Sequence, residues 1–209
     1  EIDRVIRLMK EGSRPGYLML PADVAKKPAI RPENALTQMP KQADPAILNA
    51  FQDAVRQRLS GVKQVALLAD FLAQRAGLES ALRQWVDDIP LAHSTLLMGK
   101  GLFNESRRGF IGTYSGAATA PGPREAIEKS DVVICVGVKF TDTTTAGFSQ
   151  QLTTGQTIDV LPDGVRIGEQ WFSGVPMAKA VSILYHAVRD LKPQLTLPDV
   201  KPAPLPESD

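Results

Sequence analysis

The segment Asp131-Val132-Val133-Ile134-Cys135-Val136-Gly137 constrains the fold more than any other part of this chain. Five apolar residues follow one another with no polar position between them. A strand with one solvated face alternates. One that does not alternate needs an apolar layer above it and another below. A helical stretch ending at Lys129 leads into the run, with Ser130 as the corner. The pattern predicts a central strand covered by helices on both faces. Gly137 then frees the backbone at the strand's carboxyl end. A polar loop follows, with Lys139, Thr141, Asp142, Thr143, Thr144 and Thr145. Open α/β sheets hold ligands at such ends, so this loop is a candidate site.

The remaining periodicity fits the same architecture. Asp44 is a helix cap with Pro45 at the first helical position, and Ile47, Leu48, Phe51, Val55 and Leu59 form one face up to Gly61. Gln64–Ala69 and Leu91–Thr95 read as strands, with a helix over Gly77–Ile89 between them. Phe103–Pro123 shows no periodicity and reads as irregular, and Pro123 opens the helix that ends at Lys129. Gln156–Leu161 and Val165–Gly168 are further strands joined by the turn Pro162-Asp163-Gly164. Pro176 opens a last helix with Met177, Val181, Leu184, Val188 and Leu191 inward. Strands alternating with helices imply an α/β fold, a doubly wound, mostly parallel sheet in a Rossmann-like three-layer sandwich.

The ends read differently. Ile2, Val5, Ile6 and Met9 share one helical face before Gly12, and Tyr17–Leu20 reads as a short buried strand ended by Pro21. So small a unit cannot bury its own apolar surface. Residues 1–30 are therefore expected to be the tail of a preceding domain, 31–44 a linker and 45–191 the main domain. Residues 192–209, with Pro193, Pro198, Pro202, Pro204 and Pro206, are expected to be a second linker. A chain that opens on Glu1 inside a helix and closes on such a stretch is expected to be a piece of a longer protein.

Composition narrows the function classes. A net charge of +1 gives no electrostatic footprint for nucleic acid or an anionic membrane. The apolar runs are far shorter than the ~20 residues of a membrane helix. A single cysteine, Cys135, suits a reducing cytoplasm. The dinucleotide fingerprint G-x-G-x-x-G is missing after Gln64–Ala69, where Asp70-Phe71-Leu72-Ala73 follows. Gly99-Lys100-Gly101 lacks the third glycine, and no Ser or Thr follows Lys100 as in a P-loop. His93 and His186 are expected to be structural, and no His/Cys/Asp cluster has metal-ligand spacing. Ser115 is not flanked as in a nucleophile elbow. Asp70 and Asp142 stand where functional carboxylates stand, and both are read first as turn caps. Arg107 and Arg108 read as solvated charges or partner contacts.

Several segments, in order, carry a resemblance over essentially the whole chain. They are Arg14-Pro15-Gly16-Tyr17-Leu18-Met19-Leu20-Pro21-Ala22-Asp23-Val24-Ala25, Leu68-Ala69-Asp70, Met98-Gly99-Lys100-Gly101, Gly112-Thr113-Tyr114-Ser115-Gly116, Ala126-Ile127-Glu128, Val136-Gly137 with Phe140-Thr141-Asp142, and Phe172-Ser173-Gly174-Val175-Pro176-Met177. The chain resembles the central domain of thiamine diphosphate-dependent 2-keto acid decarboxylases, most of all those of bacterial indolepyruvate or phenylpyruvate type, with pyruvate decarboxylase the nearest relative. The resemblance implies a parent enzyme that holds thiamine diphosphate and Mg²⁺ and converts a 2-keto acid to its aldehyde and CO₂. The catalytic glutamate and the Gly-Asp-Gly…Asn motif would lie in flanking domains. This chain is then expected to contain no catalytic and no metal-binding residue. Its role would be to space the flanking domains, support a homotetramer and transmit domain movements. Gly99, Lys100, Gly101 and Asp142 would be the vestige of a nucleotide cleft. Where some pyruvate decarboxylases carry a substrate-sensing cysteine, this chain has Phe71, Leu72 and Ala73. The competing expectation is an autonomous module that binds FAD or ADP in that cleft.

Overall fold

The computed structural model describes residues 1–12, 14–36, 42–195 and 197. The chain divides into two compact units, Glu1–Gln42 and Ala43–Asp209.

The smaller unit holds helix α1 (Ile2–Gly12) and the short α2 (Ala22–Ala25). α1 is strongly amphipathic, yet none of its residues is buried within the unit. The strand expected at Tyr17–Leu20 does not form. These residues take no strand pairing, and Tyr17 and Met19 are 83% and 78% exposed. A strand needs a neighbouring strand for its N–H and C=O groups, and the described residues of this unit supply none. The segment over 31–44 is irregular where described, and 37–41 lie outside the described residues. So does most of the proline-rich segment after Leu195.

The larger unit begins with α3 (Pro45–Leu59). Its cap is as the sequence predicts: the Ala46 amide donates to Asp44 Oδ1 at 2.8 Å, and Pro45 opens the helix. The elements that follow are β1 (Val65–Ala69), α4 (Phe71–Arg75), α5 (Glu79–Asp88), β2 (Ala92–Thr95), β3 (Phe110–Thr113) and α6 (Pro121–Glu128). After them come β4 (Val132–Val136), β5 (Thr157–Leu161), β6 (Gly164–Ile167), β7 (Gln170–Ser173) and α7 (Met177–Leu191). One sheet carries the strands in the order β3-β2-β1-β4-β5-β6-β7. The first five run parallel, and β6 and β7 are added antiparallel.

The unbroken apolar run is explained by its surroundings. β4 lies between β1 and β5, with all five residues buried. Val132, Ile134 and Val136 face one core with α3, α5 and α7, while Val133 and Cys135 face a second core with Ile127 of α6 and Tyr114. β1 divides in the same way, Leu67 to the first core and Leu68 to the second. At ~1.5–3 kcal/mol for each large apolar side chain removed from water, these two strands anchor the unit.

Besides the short α2 and α4, which the sequence does not announce, three elements depart from the sequence expectation. β3 arises inside the stretch read as irregular, because Gly112 (φ 93°) interrupts its pattern and its pairing to β2 shifts register. β7 is a four-residue edge strand with only Phe172 buried, too short to carry a period. α6 starts at Pro121 rather than Pro123, proline being suited to either position of a first turn.

Candidate functional site

β1 is flanked by β2 on one side and by β4 on the other, so the chain reverses its direction of winding between β1 and β4. The carboxyl ends of that pair are where a doubly wound sheet opens a ligand crevice. Here the pair stays hydrogen-bonded beyond the strands. The Asp70 amide donates to Val136 O at 3.1 Å, and the Leu72 amide to Gly137 O at 3.3 Å. The Gly137 amide donates to Val160 O at 2.8 Å, which joins β5 to the same layer.

Gly137 explains how α4 comes so close. Its φ is 64°, and a Cβ placed there would lie 2.1 Å from the Ala73 nitrogen. Only a residue without a side chain lets α4 rest on the end of β4. Gly99 closes the other side, because its Cβ would lie 2.8 Å from Asp70 Cα and 3.0 Å from Asp70 Oδ1. The 3-10 turn Leu97–Gly99 thus leans on the end of β1.

Asp70 sits at the centre of this closure. It is fully buried, and neither carboxylate oxygen has a hydrogen-bond partner. Burial pushes its pKa up from 3.8 to about 6, and the nearby Phe71 and Gly99 amides counter only part of that effect. The expectation that Asp70 caps a turn is corrected: it stands before α4, but its side chain makes no capping bond.

The other sequence candidates separate. Lys100 turns away to Glu105, at 3.1 Å, and is largely exposed. Gly101 (φ 87°) offers its carbonyl to Arg83 at 3.1 Å. Asp142 is exposed, and its Oδ1 accepts the adjacent Thr143 amide at 2.7 Å. Of these four residues, Gly99 is the one packed closely against the end of β1.

The threonine loop is occupied with itself. Thr141 and Thr144 join hydroxyl to hydroxyl at 2.8 Å, and Thr145 Oγ1 donates to Thr141 O at 2.6 Å. Ser115 Oγ donates to Thr144 O at 2.9 Å, and Ser149 Oγ to Thr145 O at 2.6 Å. Gly116 (φ 58°) permits this contact, since a Cβ there would meet Thr145 O at 2.5 Å.

Glu128 is a structural carboxylate that ties three parts of the unit together. Its Oε1 accepts the buried Tyr114 hydroxyl at 2.7 Å and the Gln151 amide at 3.0 Å, and its Oε2 pairs with Arg124 at 2.8 Å. Burial first, and then the Glu128 carboxylate, hold the Tyr114 phenol far above its ordinary pKa. The sequence shows Glu128 only as the polar end of a helix. Its i,i+4 spacing to Arg124 is local, but Tyr114 and the Gln151 amide come from separate segments that the sequence does not bring to it.

His93 is buried edge-on between Phe103 and Phe110, with Nδ1 at 3.2 Å from Leu91 O and Nε2 unpartnered. Burial lowers its pKa, so it is a neutral core residue. His186 is exposed on α7. Arg107 pairs with Asp87 at 3.0 Å. Among the described residues no group of three His, Cys, Asp or Glu side chains could hold a metal ion. No described helix is long and apolar enough to cross a membrane. A surface hollow of about 650 Å³ lies between the carboxyl-terminal halves of α3 and α7, near the amino ends of the strands and away from the crevice.

The family described as "Thiamine pyrophosphate enzyme, central domain" matches residues 52–188. The alpha-keto-acid decarboxylase of Mycobacterium avium (strain 104) is 36% identical over 184 residues, 88% of this chain and 32% of that protein. The protein of the same name from Mycobacterium ulcerans (strain Agy99) is 35% identical over 207 residues, 98% of this chain and 36% of that protein. That from Mycobacterium tuberculosis (strain ATCC 25618 / H37Rv) is 35% identical over 184 residues, 88% of this chain and 33% of that protein. The chain spans about a third of the length of the curated relatives it matches.

Proposed function

The chain belongs to the thiamine pyrophosphate enzyme central-domain family, and from that premise we propose that it is the non-catalytic central part of a 2-keto acid decarboxylase. The observation that carries this reading is the likeness, across 88–98% of the chain, to proteins named alpha-keto-acid decarboxylase. The parent releases CO₂ from a 2-keto acid and yields the aldehyde. The substrate proposed is an aromatic one, indolepyruvate. Thiamine diphosphate supplies the electron sink for such a reaction, with Mg²⁺ as its companion. We assign no residue of this chain to that cofactor; among the described residues no group of three His, Cys, Asp or Glu side chains is placed to hold a metal ion. No chemical step is therefore assigned to them.

The role we assign to the chain is mechanical. Its sheet is closed where related folds open, and the Gly99–Lys100–Gly101 and Asp142 region is read as a cleft no longer used. The domain spaces its neighbours in the parent chain and contributes surface to a homotetramer in the cytoplasm.

Two measurements test this. The whole protein, loaded with thiamine diphosphate and Mg²⁺, should release CO₂ from indolepyruvate faster than from pyruvate, and the 209-residue chain alone should release none. Turnover by the chain alone would overturn the assignment. Calorimetric titration of the chain with FAD, ADP and NAD should give no heat of binding. Submillimolar affinity for any of them would favour an autonomous nucleotide-binding module instead.

A further inference from the structure

The closed end of β1 and β4 holds buried polar atoms that nothing satisfies. Both Asp70 carboxylate oxygens are without a partner, in a residue that is 0% exposed. Thr95, in register with Ala69 on the neighbouring β2, also buries its hydroxyl unpartnered. Buried polar groups are almost always bonded, and each exception asks for a reason. Two small pieces of backbone adjoin Asp70. One is α4, the five-residue helix that follows it, of which only Ala73 is buried. The other is the 97–99 turn, which reaches Asp70 through Gly99.

Both pieces are lightly held. The Leu72 amide reaches Gly137 O at 3.3 Å and the Leu96 amide reaches Ala69 O at 3.4 Å, each longer than the ~2.9–3.0 Å of a good backbone bond. Each piece runs into a glycine in left-handed backbone with open space around it, Gly77 at φ 70° and Gly101 at φ 87°. Few buried apolar contacts and long hydrogen bonds place such segments among the parts of a fold that open first. The charged groups nearby are directed elsewhere. On α4, Arg75 lies over the Phe71 ring, 4.9 Å from its centroid. At the end of the turn, Lys100 pairs with Glu105 at 3.1 Å. Beyond β4, Lys139 and Asp142 are exposed. Asp70 therefore has no counter-charge, and burial is the chief influence on its proton affinity.

We propose that Asp70 is a proton-operated latch: with its carboxyl neutral, α4 and the 97–99 turn close over the ends of β1 and β4, and with it ionised they swing away and admit water to the crevice. An ionised carboxylate needs water or a partner, and the closed form offers neither. Opening supplies the water and leaves the sheet intact, because β1, β4 and β5 stay paired along their length. The sign follows from the two proton affinities. The pKa is about 6 in the closed form and returns to the ordinary 3.8 in the open one. Below pH 3.8 both forms are neutral and ionisation favours neither. As pH rises toward 6 the open form ionises first and gains, and above 6 its whole advantage is present. Between pH 5.0 and 7.5 the opening constant rises about tenfold. What opens is the place where doubly wound sheets hold ligands, so the crevice is more accessible at neutral pH than in acid. The latch goes beyond the decarboxylase reading and does not depend on it.

The test is hydrogen exchange on the whole protein at pH 5.0 and 7.5, with rates at the amides of 71–76 and 97–101 divided by those of the unfolded chain. In the wild type their opening constant should rise about tenfold across this range. These amides should open far more readily than those of Val132–Val136 in β4, and low urea should leave that opening nearly unchanged, since little surface is exposed. Asp70→Asn should make the opening independent of pH. Asp70→Ser, a smaller neutral replacement, should do the same if the asparagine variant does not fold. Equal wild-type opening constants at the two pH values would overturn the proposal. So would exchange of these amides only together with β4, which would mean that they open by global unfolding. A pH dependence that survives in either variant would overturn it as well. Decarboxylation is not a readout here, so an inactive parent would defeat the functional reading and leave the latch standing.

Discussion

Replacing Asp70 by asparagine should make the larger unit more stable at neutral pH. The carboxyl is fully buried, and both of its oxygens lack partners. Its pKa rises from 3.8 in the unfolded chain to about 6 in the fold, chiefly because burial penalises the charge. Below pH 3.8 both states are neutral and the fold carries no penalty. As pH rises toward 6 the unfolded chain ionises first, so stability falls, and above pH 6 the whole penalty is present. At ~1.36 kcal/mol per tenfold change in proton affinity, the displacement amounts to about 3 kcal/mol. Asparagine keeps the shape and cannot ionise. Urea unfolding of wild type and Asp70→Asn at pH 4.0 and 7.5 should give nearly equal stabilities at pH 4.0. At pH 7.5 the variant should gain up to about 3 kcal/mol, or roughly 6–12 °C in Tm. A variant less stable than wild type at pH 7.5, with an unchanged pH profile, would mean that Asp70 is ionised and usefully paired, and the argument would fail.

His93 should act with the opposite sign. Its folded pKa is lowered by burial, so its contribution is present above pH 6.5 and lost as the solution becomes more acid. His93→Gln, which keeps a donor for Leu91 O, should flatten the acid limb of a urea-midpoint profile between pH 6.5 and 5. Glu128→Ala should cost about 2–4 kcal/mol, because it strands the buried Tyr114 hydroxyl and the Gln151 amide and unpairs Arg124. Thermal melts would read that cost, and hydrogen exchange at Gln151 should accelerate. Gly137→Ala should be among the most damaging single-methyl additions, at about 2 kcal/mol or more. It places a Cβ 2.1 Å from the Ala73 nitrogen at φ 64°. Its soluble yield and urea midpoint would show this, and wild-type values for both would mean that α4 does not rest on Gly137.

What was legible in the sequence were the features encoded locally. The run Val132–Val136 announced a strand buried on both faces, because it is strand length and a strand with one solvated face would alternate. Asp44-Pro45 announced the start of α3, since a cap needs only its own next few residues. The alternation of strands and helices announced a doubly wound sheet, and the ordered motifs announced the family. Other features depend on partners far along the chain. β3 and β7 are four residues long and exist because β2 and β6 offer them hydrogen bonds. The antiparallel turn of β6 and β7 is a choice of pairing that no single strand carries. Tyr17–Leu20 has a strand's composition and no strand beside it. The loop after β4 looked like a ligand site because it is polar and follows a glycine. The tertiary structure adds what the sequence does not show: Thr141 and Thr144 bond hydroxyl to hydroxyl, Ser115 donates to the Thr144 carbonyl, and the Ala117 amide donates to Ser149 Oγ. It also made Gly137 the seat of α4 and left Asp70 buried without a partner. Side-chain period records which face a residue turns inward, but only the folded chain determines what meets it there.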